Sequence, residues 1–441
     1  MKACRNVIFL LLLLFVDVWG ASTDFESSEE NNEGSLQDGL ADELLARLGV
    51  SPNFSIHGDL HFTSMFIKQR KGDNDGAVAS LQGDVIAVYS WITNGHRYGI
   101  ETALKLDSKN VRGNGTIWRS LYSFWESDII GMLKFGWTNT AADKYCVDGA
   151  NVLVGYYGAG SRNLPCLLEE SAGSYIENSF TYDDSRALKV AWLSPVISGF
   201  SYGISFTPNS RDAGPAKTKY LEKLGDGHEK LDFSHTKGAY SENIVTGGVA
   251  YEFGDPNGLN VRIAIATWYG KGKSVNGIKL HDVKAYNIGA MICHSDTELS
   301  LGYTNNTKSL LAKEWATHEG EAFNENRKYK ITDPDVGLMP GANAGEVYSI
   351  GLAHRFCKNW KASAGYFMSE VKFSKYEKSK ADMIALAIEY EPQKNIKLYL
   401  EYDYVSTKAC NRAQTYAAAC GLPTIGKNEA NMAMIGVKLN F

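Results

Sequence analysis

The sequence predicts an all-β fold: a transmembrane antiparallel β-barrel of about sixteen strands, with short periplasmic turns and long extracellular loops. Three observations predict it. Polar and apolar residues alternate with period two over runs longer than the five or six residues usual for a soluble strand. The connections between those runs alternate between short and long. Glycine and aromatic residues are abundant, with 43 Gly, 24 Tyr, 18 Phe and 9 Trp in 441 residues but only 10 Pro, a composition that suits many strands and turns.

The elements follow in chain order. Lys2 and Arg5 precede an apolar run over 7–16, and Gly20 and Ala21 supply small residues beyond it. That pattern predicts a cleaved secretory signal peptide over 1–20. The run falls short of the roughly 20 apolar residues that a spanning helix needs. Cys4 lies ahead of the run and is not placed like a lipoprotein cysteine. Residues 21–52 begin acidic and polar, then place Leu40, Leu44, Leu45 and Leu48 at helical spacing before Gly49. An acidic linker with a short amphipathic helix is expected there. The barrel is expected to occupy 53–441.

From Phe54 the period becomes two. Phe54, Ile56, Leu60, Phe62 and Phe66 share one face; Ser55, His57, Asp59, His61 and Thr63 share the other. Likewise Tyr98, Ile100, Leu104 and Leu106 oppose Arg97, Glu101 and Lys105, and Phe200, Tyr202, Ile204 and Phe206 oppose Ser201, Gly203 and Ser205. Ile396, Leu398, Leu400, Tyr402 and Tyr404 oppose Lys397, Tyr399, Glu401 and Asp403. Strands are predicted to begin near Phe54, Leu81, Arg97, Trp118, Ile129, Arg186, Gly199, Tyr240, Leu259, Val283, Thr297, Gly345, Trp360, Ala381, Asn395 and Glu429.

Short connections fall at 94–96, 126–128, 194–198, 254–258, 294–296, 357–359 and 391–395. Long ones fall at 68–80, 107–117, 139–185, 208–239, 271–282, 305–344, 370–380 and 406–428. Only an up-and-down barrel in a membrane has a reason to sort its loops by side. A barrel has no free edge, so the final "GVKLNF" is expected to pair with the first strand. Trp137, Phe206, Trp268, Tyr303, Trp360, Tyr404 and Phe441 lie near strand ends and are expected to form interface girdles.

A formal net charge of −5 argues against a nucleic-acid partner, which wants a basic surface. No nucleophile, metalloprotease, P-loop or dinucleotide motif is present, so neither enzyme activity nor a cofactor is expected. His57 and His61 share a strand face about 13 Å apart, too far to hold one metal, and no metal is expected. Cys146 with Cys166, and Cys410 with Cys420, are candidate local disulfides in an oxidising compartment. Cys293 and Cys357 sit at strand ends with no evident partner.

The stretch "WRSLYSFWESDIIGMLKFGWTNTAADK" (118–144) resembles a segment of alphaproteobacterial Gram-negative porins, in which two strands run into the opening of the third loop. "RALKVAWLSPVISGFSYGISFTPNS" (186–210) is similar to the hairpin that follows that loop. Trp137 and Asn139-Thr140 vary the loop-opening motif, and the "PEFGG" motif of enteric porins is missing.

The resemblance implies that the third loop, here 139–185, folds into the barrel and constricts it. It implies that acids of that loop face basic residues of the wall. The candidate acids are Asp143, Asp148, Glu169, Glu170, Glu177, Asp183 and Asp184. Strand parity places Arg97, Lys105, Arg119, Lys134 and Lys189 toward the lumen as the candidate basic wall, since lipid-facing Lys or Arg costs roughly 2–4 kcal/mol at the midplane. The resemblance further implies a homotrimer in the bacterial outer membrane and Phe441 as a signal to the barrel-assembly machinery. The implied function is passive diffusion of ions and small hydrophilic solutes. A second reading is a surface barrel acting mainly as adhesin or antigen through its loops at 208–239 and 305–344.

Overall fold

The computed structural model describes residues 51–70, 76–107, 118–155, 187–210, 241–255, 258–273, 281–307, 309, 345–372, 378–408 and 427–441. The expected signal peptide and most of the linker, including its helix, lie outside the described residues. Sixteen strands close into one antiparallel barrel. In order they are β1 (Ser51–Gln69), β2 (Gly76–Thr93), β3 (His96–Asp107), β4 (Trp118–Ser127), β5 (Gly131–Trp137), β6 (Leu188–Leu193), β7 (Phe200–Asn209) and β8 (Ser241–Gly254). The second half comprises β9 (Leu259–Gly272), β10 (Val283–His294), β11 (Thr297–Thr307), β12 (Gly345–Cys357), β13 (Trp360–Lys372), β14 (Lys378–Gln393), β15 (Ile396–Lys408) and β16 (Lys427–Asn440).

Each strand pairs with its neighbours in sequence, and β16 pairs back onto β1 with Leu60 opposite Leu439. The closure extends through Phe441, whose backbone exchanges two hydrogen bonds with Gly58 at 2.9 and 3.0 Å. The seven short turns lie at one end of the barrel; the connections at the other are mostly long, but those expected over 68–80 and 370–380 are reduced to 70–75 and 373–377 by longer strands. At Asn94-Gly95 both residues have positive φ, 50° and 75°, the twist-matched geometry of a two-residue hairpin.

Period two determines the two faces. Phe62 and Phe66 are 52% and 56% exposed, whereas His61, Thr63 and Met65, on the alternate positions, are buried. Ile263, Ile265 and Tyr269 on β9 likewise face out, and Ala264, Ala266 and Trp268 face in. An apolar band of this kind on a closed barrel suits hydrocarbon, because every backbone group is satisfied within the sheet.

Two expectations need correction. Trp268 is 2% exposed and packs inside the barrel with Ile244 and Tyr145; its parity, shared with Ala264 and Ala266, outweighs its position near a strand end, and the outward aromatic there is Tyr269. The inner face is also less polar than expected. Met65, Phe367, Met383, Met432 and Met434 form a buried apolar cluster on the inner wall of β1, β13, β14 and β16.

Candidate functional site: the inner loop and the pore wall

The loop after β5 turns into the barrel, and its described part, 138–155, lies along the inner wall. Its first turn folds on itself: the Thr140 backbone N–H and hydroxyl both donate to the Asp143 carboxylate, at 3.1 and 3.0 Å. A 3-10 turn, Ala142–Tyr145, follows, and the Tyr145 side chain is fully buried against the wall.

From Ala141 onward the loop crosses strand after strand and is tied down by wall side chains. Ser205 on β7 accepts from Ala141 N–H at 3.1 Å. Arg262 on β9 donates to the Lys144 carbonyl at 2.8 Å. Asn287 on β10 accepts from Val147 N–H at 3.1 Å and donates to the Val147 carbonyl at 3.2 Å. Ser300 on β11 donates to the Asp148 carbonyl. Ser349 on β12 accepts from Gly149 N–H at 2.9 Å, and Ser363 on β13 accepts from Val154 N–H at 3.0 Å. Each such bond contributes about 1 kcal/mol net, and more is lost when a buried partner is stranded.

The wall can be approached so closely because its inward residues there are small. A Cβ on Gly248 would lie 2.5 Å from the Tyr145 Cβ. One on Gly302 would lie 2.6 Å from the Asp148 Cα. One on Gly351 would overlap the Gly149 carbonyl oxygen. Gly289 pairs with Gly302, and Gly351 pairs with Gly365, so these glycines form a track under the loop. Farther on, Ala150 and Leu153 pack against the Met-rich cluster, and Gly155 lies against the Glu401 carboxylate.

Of the predicted acids on this loop, Asp148 is only 3% exposed. Its carboxylate accepts from Ala150 N–H at 2.9 Å, while Asn151 accepts from Asp148 N–H at 2.6 Å, a reciprocal cap on the 3-10 turn Gly149–Val152. Asp148 thus caps the turn that shapes the loop. Glu169, Glu170, Glu177, Asp183 and Asp184 lie outside the described residues. Cys146 is a free thiol among the described cysteines, and its candidate partner Cys166 lies outside the described residues. The Cys146 side chain packs into the cluster of Tyr145, Val147 and Trp268, and burial, reinforced by Asp143 and Asp148, pushes the thiol above its usual range. Cys410 and Cys420 also lie outside the described residues; Cys293 and Cys357 are free.

The predicted basic wall residues lie on β3 to β6. Arg97 pairs with Glu126 at 3.3 Å and lies over the Phe124 ring. Arg119 pairs with Asp84, which in turn sits opposite Lys105. Arg119 lies beside a register shift between Ala103 and Leu104. Lys134 donates to the Tyr122 hydroxyl at 3.2 Å and lies 4.6 Å from that ring's centre. Lys189 is 1% exposed and donates to the Thr138 carbonyl at 2.7 Å, bracing the start of the loop.

Sequence reasoning missed the seat itself: Ser205, Asn287, Ser300, Ser349 and Ser363. The available signal was a row of small or amide residues at inward positions of consecutive strands, where a bare lumen wall would carry charge.

The fold recurs in solved structures. OmpF of Salmonella typhi in complex with daunomycin superposes with a TM-score of 0.55 at 13% identity, covering 88% of this chain and 97% of that one. In-vitro folded OmpT of Vibrio cholerae, in its trimer form, superposes at 0.52 with 14% identity, covering 89% of this chain and 100% of that one. An uncharacterized protein of Rickettsia conorii is 25% identical over 359 residues, covering 70% of this chain and 74% of its own length. The model of the Gram-negative porin family matches residues 23–409; the chain belongs to that family.

Proposed function

We propose that the chain forms a water-filled outer-membrane channel through which ions and small hydrophilic solutes diffuse passively, narrowed by the loop seated on its inner wall. The observation that supports this best is the pinning of 138–155 across the inside of β7 to β13. A loop held by wall side chains on a row of glycines lies flat against one side and leaves the opposite wall, with Arg97, Arg119 and Lys134, to face the lumen. No catalytic step is assigned. The channel assembles as a homotrimer, in keeping with the trimeric form of the similar OmpT. It is exported by way of the signal peptide over 1–20, and residues 21–52 link that peptide to the barrel. Phe441 addresses the assembly machinery. Liposomes containing the refolded protein would test the channel: uptake of uncharged sugars should fall smoothly with sugar size and show no saturation. Saturable uptake of one sugar, or none of any, would overturn passive diffusion.

A further inference from the structure

Four basic residues near the short-turn mouth of the barrel are paired with carboxylates, whereas Arg355 on β12, opposite Lys361, donates to the Lys358 carbonyl at 3.0 Å. Each described pair below faces inward and lies a few residues from a short turn. Arg97 on β3 meets Glu126 on β4 at 3.3 Å. Arg262 on β9 meets Glu252 on β8 at 2.6 Å. Lys397 on β15 meets Glu389 on β14 at 2.9 Å. Lys361 on β13 reaches past the small Ala353 of β12 to both oxygens of Glu298 on β11, at 2.8 and 2.9 Å. The pairs thus recur around the circumference, on opposite sides of the barrel.

We propose that these pairs form a charge-neutral collar at the short-turn mouth, in which Glu298 and Glu389 mask Lys361 and Lys397 from passing anions. This deepens the channel function proposed above and rests on it. A lone lysine on a pore wall attracts anions over about a Debye length, 8–10 Å. A lysine with a carboxylate under 3 Å away presents only a dipole, whose field falls off faster than that of a single charge. The paired charges then pass both signs of ion, and any preference for one sign arises from other groups, such as Arg355 at the same mouth and the loop with the wall facing it. The pairs also cross between strands, so a purely structural role is the competing explanation. The two roles separate in the sign of the current.

The test is a charge cycle on the full chain, refolded and recorded in planar bilayers under a potassium chloride gradient. Glu298→Gln and Glu389→Gln should each shift the reversal potential toward anions, raising the anion-to-cation permeability ratio by about twofold. Lys361→Gln should shift it the other way. The double variant Glu298→Gln/Lys361→Gln should return to the parent value, and it serves where a single variant folds poorly. Folded, conducting variants whose reversal potentials all equal the parent's would overturn the collar and leave the pairs as strand staples. A parent barrel that inserts and never conducts would overturn the channel itself, and the collar with it.

Discussion

Asn287 holds both polar groups of Val147: it accepts from the N–H at 3.1 Å and donates to the carbonyl at 3.2 Å. One inward amide on β10 thereby ties the middle of the loop to the wall, and its Nδ2 also donates to Thr304 on β11 at 2.9 Å. Asn287→Leu keeps the volume and removes these bonds. It should cost about 1–3 kcal/mol, because the buried Val147 groups lose their partner. Thermal unfolding should begin earlier, and open-channel current noise should rise as the loop loses its hold.

Gly351 is where a side chain has nowhere to go. Its inward face meets the Gly149 carbonyl, so Gly351→Leu must push the loop off the wall toward the axis. Single-channel conductance should fall, while Ala433→Leu on the outer face of β16 should leave it unchanged. Equal conductance in both variants would mean that the loop does not rest on β12.

Asp148 gives a prediction opposite to that for a pore-lining acid. Asp148→Asn keeps the capping oxygen and removes the charge, so ion selectivity should be unchanged. Asp148→Ala should cost about 1 kcal/mol through loss of the cap. A change of selectivity in Asp148→Asn would place that carboxylate in the lumen.

Cys146 and Cys357 separate by accessibility. In single-cysteine variants of the folded barrel, Cys357, which is exposed, should react quickly with a maleimide. Cys146 should react slowly at neutral pH, because packing shields it and its raised pKa keeps it as the thiol. Denaturant should abolish the difference.

The outer face should behave as a membrane surface. Ile265 faces out near the middle of β9. Ile265→Arg should destabilise the folded barrel by about 2–4 kcal/mol in urea titrations with lipid vesicles. Little effect would argue that this band does not face hydrocarbon.

The strands were legible because one face of each must be apolar and the chain alternates at every step. All sixteen predicted starts fall within five residues of the observed ones, and the seven short turns share one end; at the other end two connections expected to be long, 68–80 and 370–380, shrink to 70–75 and 373–377 because the strands extend into them. What alternation cannot carry is where it breaks. Register shifts at Ala103/Leu104 and Arg355/Cys357 re-aim side chains without a local sequence mark. Nor does parity distinguish an inward residue that faces water from one that faces the loop. Ser201, Gly203 and Ser205 read as polar wall, yet a Cβ on Gly203 would sit 3.1 Å from the Tyr145 ring. The capping role of Asp148 was equally illegible: its type suits a pore, and only the fold brings Ala150 and Asn151 into the reciprocal cap.

The central claim is that this barrel is an open channel, and single-channel recording in a planar bilayer tests it most directly. Refolded protein should give stepwise, long-lived openings whose current is linear in voltage. Barrels shown to be folded and inserted, yet electrically silent across the voltage range, would contradict it.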